Sequence, residues 1–289
     1  MVIKGGLADL HTHTTASDGL HSPTDIVQFA KAAGLSAVAI TDHDTIAGVA
    51  EAIVAGERIG VRVVPGVEVS TVAGGQDIHI LGYFTDGSDK QWLARLASLR
   101  DVRNHRNDMI VSRLNELGVS ITMDDVREAA RSKQAASDSS EKAFSIGRPH
   151  IAEVLIRQGV VSTMSEAFDK YLASGAAAYV NPPRLTPFEA VDWIHEAGGT
   201  SVIAHPGLYG DDELVEAIAK HGANGIEVFH SDHGAEEESR YAELAAKYGL
   251  IVTGGSDFHG SRQGEVFHGA VGSRTVDAVT IELLRPKKK

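Results

Sequence analysis

The 289 residues carry 27 Lys+Arg against 39 Asp+Glu, a formal net charge of −12, with 43% hydrophobic residues, 14 His and no Cys. The apolar fraction excludes global disorder and suits one large α/β domain or a domain with an insertion. The lack of cysteine excludes disulfides, thiolate nucleophiles and Cys-ligated metal centres, and the acidic balance argues against a long nucleic-acid partner, which wants a basic face. No apolar run approaches the ~18 residues of a membrane helix, and the stretch Met1-Val2-Ile3-Lys4 has no signal-peptide pattern, so a cytoplasmic protein without membrane contact is expected. The excess of histidine, much of it beside Asp, points to metals held by imidazole and carboxylate.

In chain order, Leu7–His11 reads as a strand that runs on through Thr12 to His13. Residues i and i+2 share a face, so His11 and His13 can grip one metal. Asp18 follows in a Ser17-Asp18-Gly19 turn. Ser22-Pro23 reads as an N-cap and first helical position for a helix to Ala33. The next strand, Ala37–Thr41, stops at Asp42-His43-Asp44, an expensive trio at a buried strand end without a metal. His43 is the ligand candidate there, and Asp42 and Asp44 are groups that orient ligands. After a helix over Ile46–Ile59, the strand Val61–Val67 ends at Glu68, and Ile78–Tyr83 carries His79. From about Lys90 to Val180 the pattern is helical only: one long amphipathic helix through Leu93, Leu96, Leu99, Met109, Leu114 and Leu117, then Ile151–Gln158 and Ser165–Ala173. Arg131–Lys142, rich in Ser, Ala and charge, reads as a mobile loop. The strand–helix rhythm resumes with Pro187–Ala197, Ser201–His205, Asp212–Lys220, Gly225–Phe229, Ala235–Tyr248 and Leu250–Gly254. The organisation is therefore a barrel half over 1–89, a helical cap over 90–180 and a second barrel half over 181–289.

Six of the seven candidate strands carry His, Asp or Glu at or just past their C-terminal ends, and the N-terminal ends show no such enrichment. In a parallel barrel those ends converge on one face, where barrel active sites form. A polynuclear metal site at that mouth is the expectation.

As an ordered set, His11-Thr12-His13, Thr41-Asp42-His43-Asp44, Glu68, His79, Ala204-His205-Pro206 and Ser256-Asp257-Phe258-His259 resemble the motifs of the PHP (polymerase and histidinol phosphatase) family, over roughly residues 7–275. The resemblance implies a distorted (β/α)7 barrel and two or three divalent ions: manganese most of all, with zinc, iron or magnesium as other choices. It implies that His11, His13, Glu68 and Asp257 hold the first ion, Glu68, His79 and His205 the second, and Asp18, His43 and His259 the third. Water activated on these ions would attack phosphorus, and the surplus of ion charge would draw a phosphate in despite the acidic chain.

The helical insertion resembles that of stand-alone family members acting on 3′,5′-nucleoside bisphosphates or trimming short RNA from its 5′ end. Arg148 and His150, in Gly147-Arg148-Pro149-His150 at a helix start, are expected to hold a phosphate, and His230 and His233 to touch substrate. The leading expectation is a phosphomonoesterase acting on a small nucleotide such as pAp. The alternatives are a 5′-3′ exonuclease on short oligoribonucleotides, a histidinol phosphate phosphatase, and a non-catalytic metal-binding module. The sequence leaves the oligomeric state open.

Overall fold

A computed structural model describes residues 5–131, 145–262, 265–266 and 268–286. The expected loop over Arg131–Lys142 lies, past Arg131, outside the described residues. Strands β1 (Leu7–Asp9), β2 (Ala37–Ile40) and β3 (Arg62–Ala73) are joined by helices α1 (Pro23–Ala32) and α2 (Val49–Ile59), and strand β4 (Gln76–Tyr83) follows. Next come α3 (Lys90–Glu116), α4 (Met123–Arg131), α5 (Arg148–Arg157), α6 (Met164–Ala167) and a π-helical turn over Phe168–Leu172. The barrel resumes with α7 (Pro187–Glu196), β5 (Thr200–Ile203), α8 (Asp212–His221), β6 (Gly225–His230), α9 (Ala235–Tyr248) and β7 (Ile251–Gly255). A small hairpin, β8 (Ser261–Arg262) with β9 (Glu265–Val266), then β10 (Val276–Asp277) and α10 (Thr280–Leu284), end the described chain.

The seven expected strands form one sheet in the order β1-β2-β3-β4-β5-β6-β7, with β10 added antiparallel outside β1. Backbone bonds just past the strand ends, Leu10 N–H to Gly254 O and His13 N–H to Phe258 O, bring β7 round to β1 and close the barrel. The helix boundaries follow local chemistry. Ser22 and Thr186 each form a capping box before a proline at the helix start. Gly60 and Gly249 end α2 and α9 in the left-handed region, where a Cβ would be strained.

The expectation of an all-parallel barrel needs one correction. β4 runs antiparallel to both β3 and β5. The cause is Gly74-Gly75, both at positive φ, a two-residue loop of the kind that closes a tight hairpin between Ala73 and Gln76. His79 therefore lies towards the start of β4, yet the reversal of direction puts it opposite Ser70, at the same mouth as the ends of the parallel strands.

Inside the barrel the packing residues are small or aliphatic, among them Ala8, Ala37, Ala39, Val64, Val202 and Ala204, with Tyr83 reaching across to donate to Leu10 O. A separate cluster built from Ile110, Leu114, Val126, Ile151, Leu155 and Leu172 packs the inserted helices. Helix α3 belongs to both clusters. Trp92, Leu96 and Leu99 sit in the barrel-side core and Ile110, Val111 and Leu114 in the cap core, about four turns apart along one rod.

Candidate metal centre

All nine of the expected ligands meet at the barrel mouth, seven of them from segments that follow strand ends and two, Glu68 and His79, from within strands. His11, Thr12 and His13 follow β1, His43 follows β2, Glu68 lies within β3, His79 in β4, His205 follows β5, and Asp257 and His259 follow β7. Donor atoms gather in overlapping groups: His11, His13, Glu68 and Asp257; His13, Asp18, His43 and His259; and His43, Glu68 and His79. His13, His43 and Glu68 each belong to two of these groups, and among them the Glu68 carboxylate lies between four imidazoles. Its Oε2 lies 3.0 Å from His43 Nδ1 and 3.2 Å from His13 Nε2, and its Oε1 lies 2.8 Å from His79 Nδ1 and 3.0 Å from His205 Nε2.

The backbone is bent to achieve this. His205 and Asp257, like Asp44 and His268 beside them, take positive φ, a cost of about 1–3 kcal/mol each that surrounding contacts must hold in place.

Several features show that these residues suit cations. Among the described residues Glu68 Oε2, Asp257 Oδ1, His43 Nδ1 and His205 Nδ1 are buried without an aligned hydrogen bond, close as Glu68 Oε2 and His43 Nδ1 come at 3.0 Å, and desolvation makes an unmet polar atom costly. The Nε2 atoms of His11 and His13 face each other at 3.3 Å, an arrangement one shared ion satisfies and two lone pairs do not. Burial pushes His43 and His205 down to about 4, which keeps both imidazoles in the neutral, ligating form. Burial pushes Glu68 and Asp257 up, but the imidazoles around them more than offset it and hold both carboxyls well below their usual range. At His13 burial acts downward, yet Asp257 and Glu68 win and raise it to about 10. Without a cation the cluster would gather protons that a metal displaces.

A second layer aims the ligands, and part of it escaped the sequence reading. Glu227, fully buried, accepts from His11 Nδ1 with both oxygens at 3.2 Å, so His11 presents Nε2 to the centre. The same carboxylate accepts from the His205 backbone N–H at 2.9 Å. Asp42 accepts from Ser17 Oγ, which sits 3.4 Å from His13 Nδ1 and so links it to a candidate ligand, whereas Asp44 accepts from Arg103 Nε at 3.1 Å and from the Ser70 backbone N–H and has no hydrogen bond to a ligand candidate among the described residues. Asp9 accepts from the backbone N–H groups of Ser256 and Gly272 and ties β1 to the segment that carries Asp257. Glu227 was legible as an acid at the third position of a strand that is apolar on both faces. His268, which donates from Nδ1 to Asp232 and lines the cavity, has no sequence signal, because its loop bears no strand or helix pattern.

The expected substrate contacts fare unevenly. Arg148 lines a cavity of about 250 Å³ together with Asp18, His43, Glu68, His79 and His259. Its guanidinium also binds Asp77 Oδ2 at 2.7 Å. His150 does not line that cavity; its Nδ1 accepts from Gly147 N–H and caps α5. His230 is fully buried. Its Nδ1 accepts from Asp232 N–H, so its Nε2 proton goes to Asp257 Oδ2 at 3.3 Å, which makes it a support of Asp257. His233 spends both ring nitrogens on backbone, Nδ1 on Val228 O and Nε2 on Gly207 N–H, so neither is left for a substrate.

A barrel mouth that gathers histidines and carboxylates around one shared glutamate, with arginines on the cavity wall, defines a metal-dependent phosphoesterase. The PHP domain family description matches residues 9–174, more than half of the chain, and the chain belongs to that family. It is 35% identical to the 5′-3′ exoribonuclease Rnm of Escherichia coli, over 87% of this chain and 84% of that one. It is 34% identical to the 3′,5′-nucleoside bisphosphate phosphatase of Chromobacterium violaceum, over 89% and 88%. A solved structure from Bifidobacterium adolescentis, described as a candidate metal-dependent phosphoesterase, superposes with a TM-score of 0.85 at 33% identity, over 97% of this chain and 96% of that one. Among the described residues no helix is long and apolar enough to cross a membrane.

Proposed function

We propose that this enzyme removes a phosphate from a small nucleotide, with a 3′,5′-nucleoside bisphosphate such as pAp as substrate. The observation that carries the reading is a cavity of about 250 Å³ lined both by members of the ligand cluster and by Arg103, Arg106 and Arg148. A pocket of that size is at or below the small end of ligand sites, about 300–1,000 Å³, and suits a small molecule better than a long polymer. Similarity to the Chromobacterium violaceum phosphatase supports the same choice.

His11, His13, Glu68 and Asp257 would hold one divalent ion, Glu68, His79 and His205 a second, and Asp18, His43 and His259 a third, manganese being the first ion to test. Such ions supply a nucleophile at neutral pH and neutralise charge that builds on a phosphoryl group. The chain's own part is positional: Glu227 and Ser17 aim imidazoles, His230 holds Asp257, and Arg148, tied by its guanidinium to Asp77 and Leu172 O, lines the cavity as a positive charge for a phosphate. The helical stretch 90–180 acts as the cap that brings Arg148 to the mouth.

The test is product analysis with manganese-loaded protein, given pAp and a 5′-phosphorylated RNA trimer separately. AMP and inorganic phosphate from pAp, with the trimer intact, is the expected result. Mononucleotides from the trimer as the main reaction would overturn it in favour of an exonuclease. Turnover of histidinol phosphate alone, or of nothing in the loaded protein, would overturn it as well.

A further inference from the structure

Asp77 has no part in the ligand cluster, yet it stands two residues before His79 on β4, and residues i and i+2 of a strand share a face. That face of β4 gives one ligand candidate to the centre and one carboxylate to the cap. The Asp77 side chain is 15% exposed and commits its two oxygens separately. Oδ2 takes the Arg148 guanidinium at 2.7 Å, and Oδ1 takes that of Arg184. Arg148 opens α5, and Arg184 lies on the segment that leads from the inserted helices back to α7. One carboxylate therefore ties down both ends of the second half of the insertion.

The ion pair is not the only bond that lays this return segment along the β3–β4 hairpin. Tyr179 Oη and Asn181 Nδ2 both donate to Gly75 O, in the loop of the hairpin. The Val72 N–H donates to Leu185 O at 2.9 Å. The Arg184 side chain is 4% exposed and does not line the cavity. Between the tethered ends run α5, α6 and the π-helical turn, and from them come Pro149 and Phe168, which do line it. Arg148 joins the pieces. It donates to Leu172 O at 3.2 Å, and its guanidinium lies 5.9 Å from the ring centres of both Phe168 and Tyr179. The width of the mouth on this side thus depends on how firmly the two ends stay on Asp77. An exposed ion pair would hold little, but a largely buried one resists opening, because either partner left alone is a desolvated charge.

We propose that Asp77, Arg184 and Tyr179 form a latch that holds the second half of the cap against the β3–β4 hairpin, and that this latch keeps longer chains out of the mouth. Arg184 is then a positioning residue: it limits substrate length without touching substrate, acting through Asp77 on the cap. The proposal rests on the small-nucleotide reading above and names what that reading leaves open, the device that sets the size limit.

The test uses the manganese-loaded full chain and two readouts. The first is kcat/KM for a 5′-phosphorylated RNA trimer divided by kcat/KM for pAp, measured for the wild type, Arg184→Gln, Arg184→Lys and Tyr179→Phe. Arg184→Gln should raise this quotient by about 10-fold, the size of effect that residues remote from a ligand exert. Arg184→Lys should fall between it and the wild type, because charge stays but the planar fork is lost. Tyr179→Phe, which removes one hydrogen bond and no charge, should raise the quotient about 3-fold. A residue that only stabilises the fold would lower both reactions together and leave the quotient alone. The second readout is amide hydrogen exchange. Arg184→Gln should speed exchange over residues 179–185, and Asp77→Asn should speed it both there and at the start of α5.

A quotient that folded Arg184→Gln and Tyr179→Phe both leave at the wild-type value overturns the latch. So does exchange over residues 179–185 that Asp77→Asn leaves unchanged. If Arg184→Gln does not fold, Tyr179→Phe decides in its place. A wild type that prefers the trimer overturns the small-nucleotide reading; the latch survives if the quotient still rises in the variants and falls if it does not. If the loaded wild type cleaves neither compound, that reading falls, and the same quotient is taken from the two binding affinities.

Discussion

His43 faces two ligand groups at once, with Nδ1 3.0 Å from Glu68 and Nε2 3.8 Å from Asp18. His43→Ala should therefore remove more than about 100-fold of turnover, beyond the 10–100-fold typical of groups that only support a ligand, and leave the circular dichroism spectrum intact. Unchanged turnover would remove His43 from the centre. Glu227→Gln keeps the shape but weakens the hold on His11, so metal affinity should fall about 10–100-fold, read by competition with a chelator. Asp77 belongs to a different kind of site. Burial raises its carboxyl, but Arg148, Arg184 and Arg106 outweigh this and hold it far below the usual range. A depressed carboxyl stabilises the fold above its unfolded pKa, about 3.9, and that gain fades as pH falls towards the folded value. Denaturant titrations should show the wild type more stable than Asp77→Asn at pH 7, with the gap shrinking below about pH 4. A gap that is constant with pH would mean that the Asp77 charge contributes nothing to folding.

At the scale of elements, the β3–β4 hairpin and helix α3 decide the site. The Gly74-Gly75 loop reverses the chain so that Glu68 and His79 meet at 2.8 Å. Gly75, at φ +83, has open space around a notional Cβ, so a side chain there would meet backbone strain and no clash. Gly75→Val should cost about 1–2 kcal/mol, seen as a lower denaturation midpoint with an unchanged slope. Loss of less than a few tenths would show that the loop relaxes freely. Helix α3 carries Arg103 and Arg106 to the cavity because their side of the helix is buried. The leucine spacing in the sequence pointed to that rod, but not to the guanidiniums on its inner face. Leu93 and Leu117, both part of the spacing read as that helix, are exposed, and Leu117 caps α3 from just beyond its end.

At the scale of the molecule, α3 runs through both the barrel-side core and the cap core, so the two cannot unfold independently without breaking it. Calorimetry of the metal-loaded protein should give one transition; two resolved transitions would mean that cap and barrel are separate units. Because the candidate ligands come from six strands of the sheet or the segments that follow them, ions that bind only the native state should stabilise the whole. Removal by a chelator should lower Tm and abolish phosphatase activity, and manganese should restore both. Activity that persists after exhaustive chelation would contradict the metal-dependent reading.

The strand–helix order, the helix caps and all nine ligand candidates were legible in the amino-acid sequence, for a physical reason. Buried strands admit His, Asp and Glu only where something offsets their desolvation, so ionisable residues at strand ends stand out against Val and Ile. The reversal of β4 is local too, set by the Gly74-Gly75 loop. Two things rested on tertiary structure: the partners of His230 and His233 include Asp257 and the Gly207 N–H, which arrive from other segments, and Arg106 reaches the cavity only because of how α3 lies beside it. Periodicity reports which face of an element is apolar. It does not report what a polar group on that face will meet, because its partners lie as many as 263 positions away, as Gly272 does from Asp9.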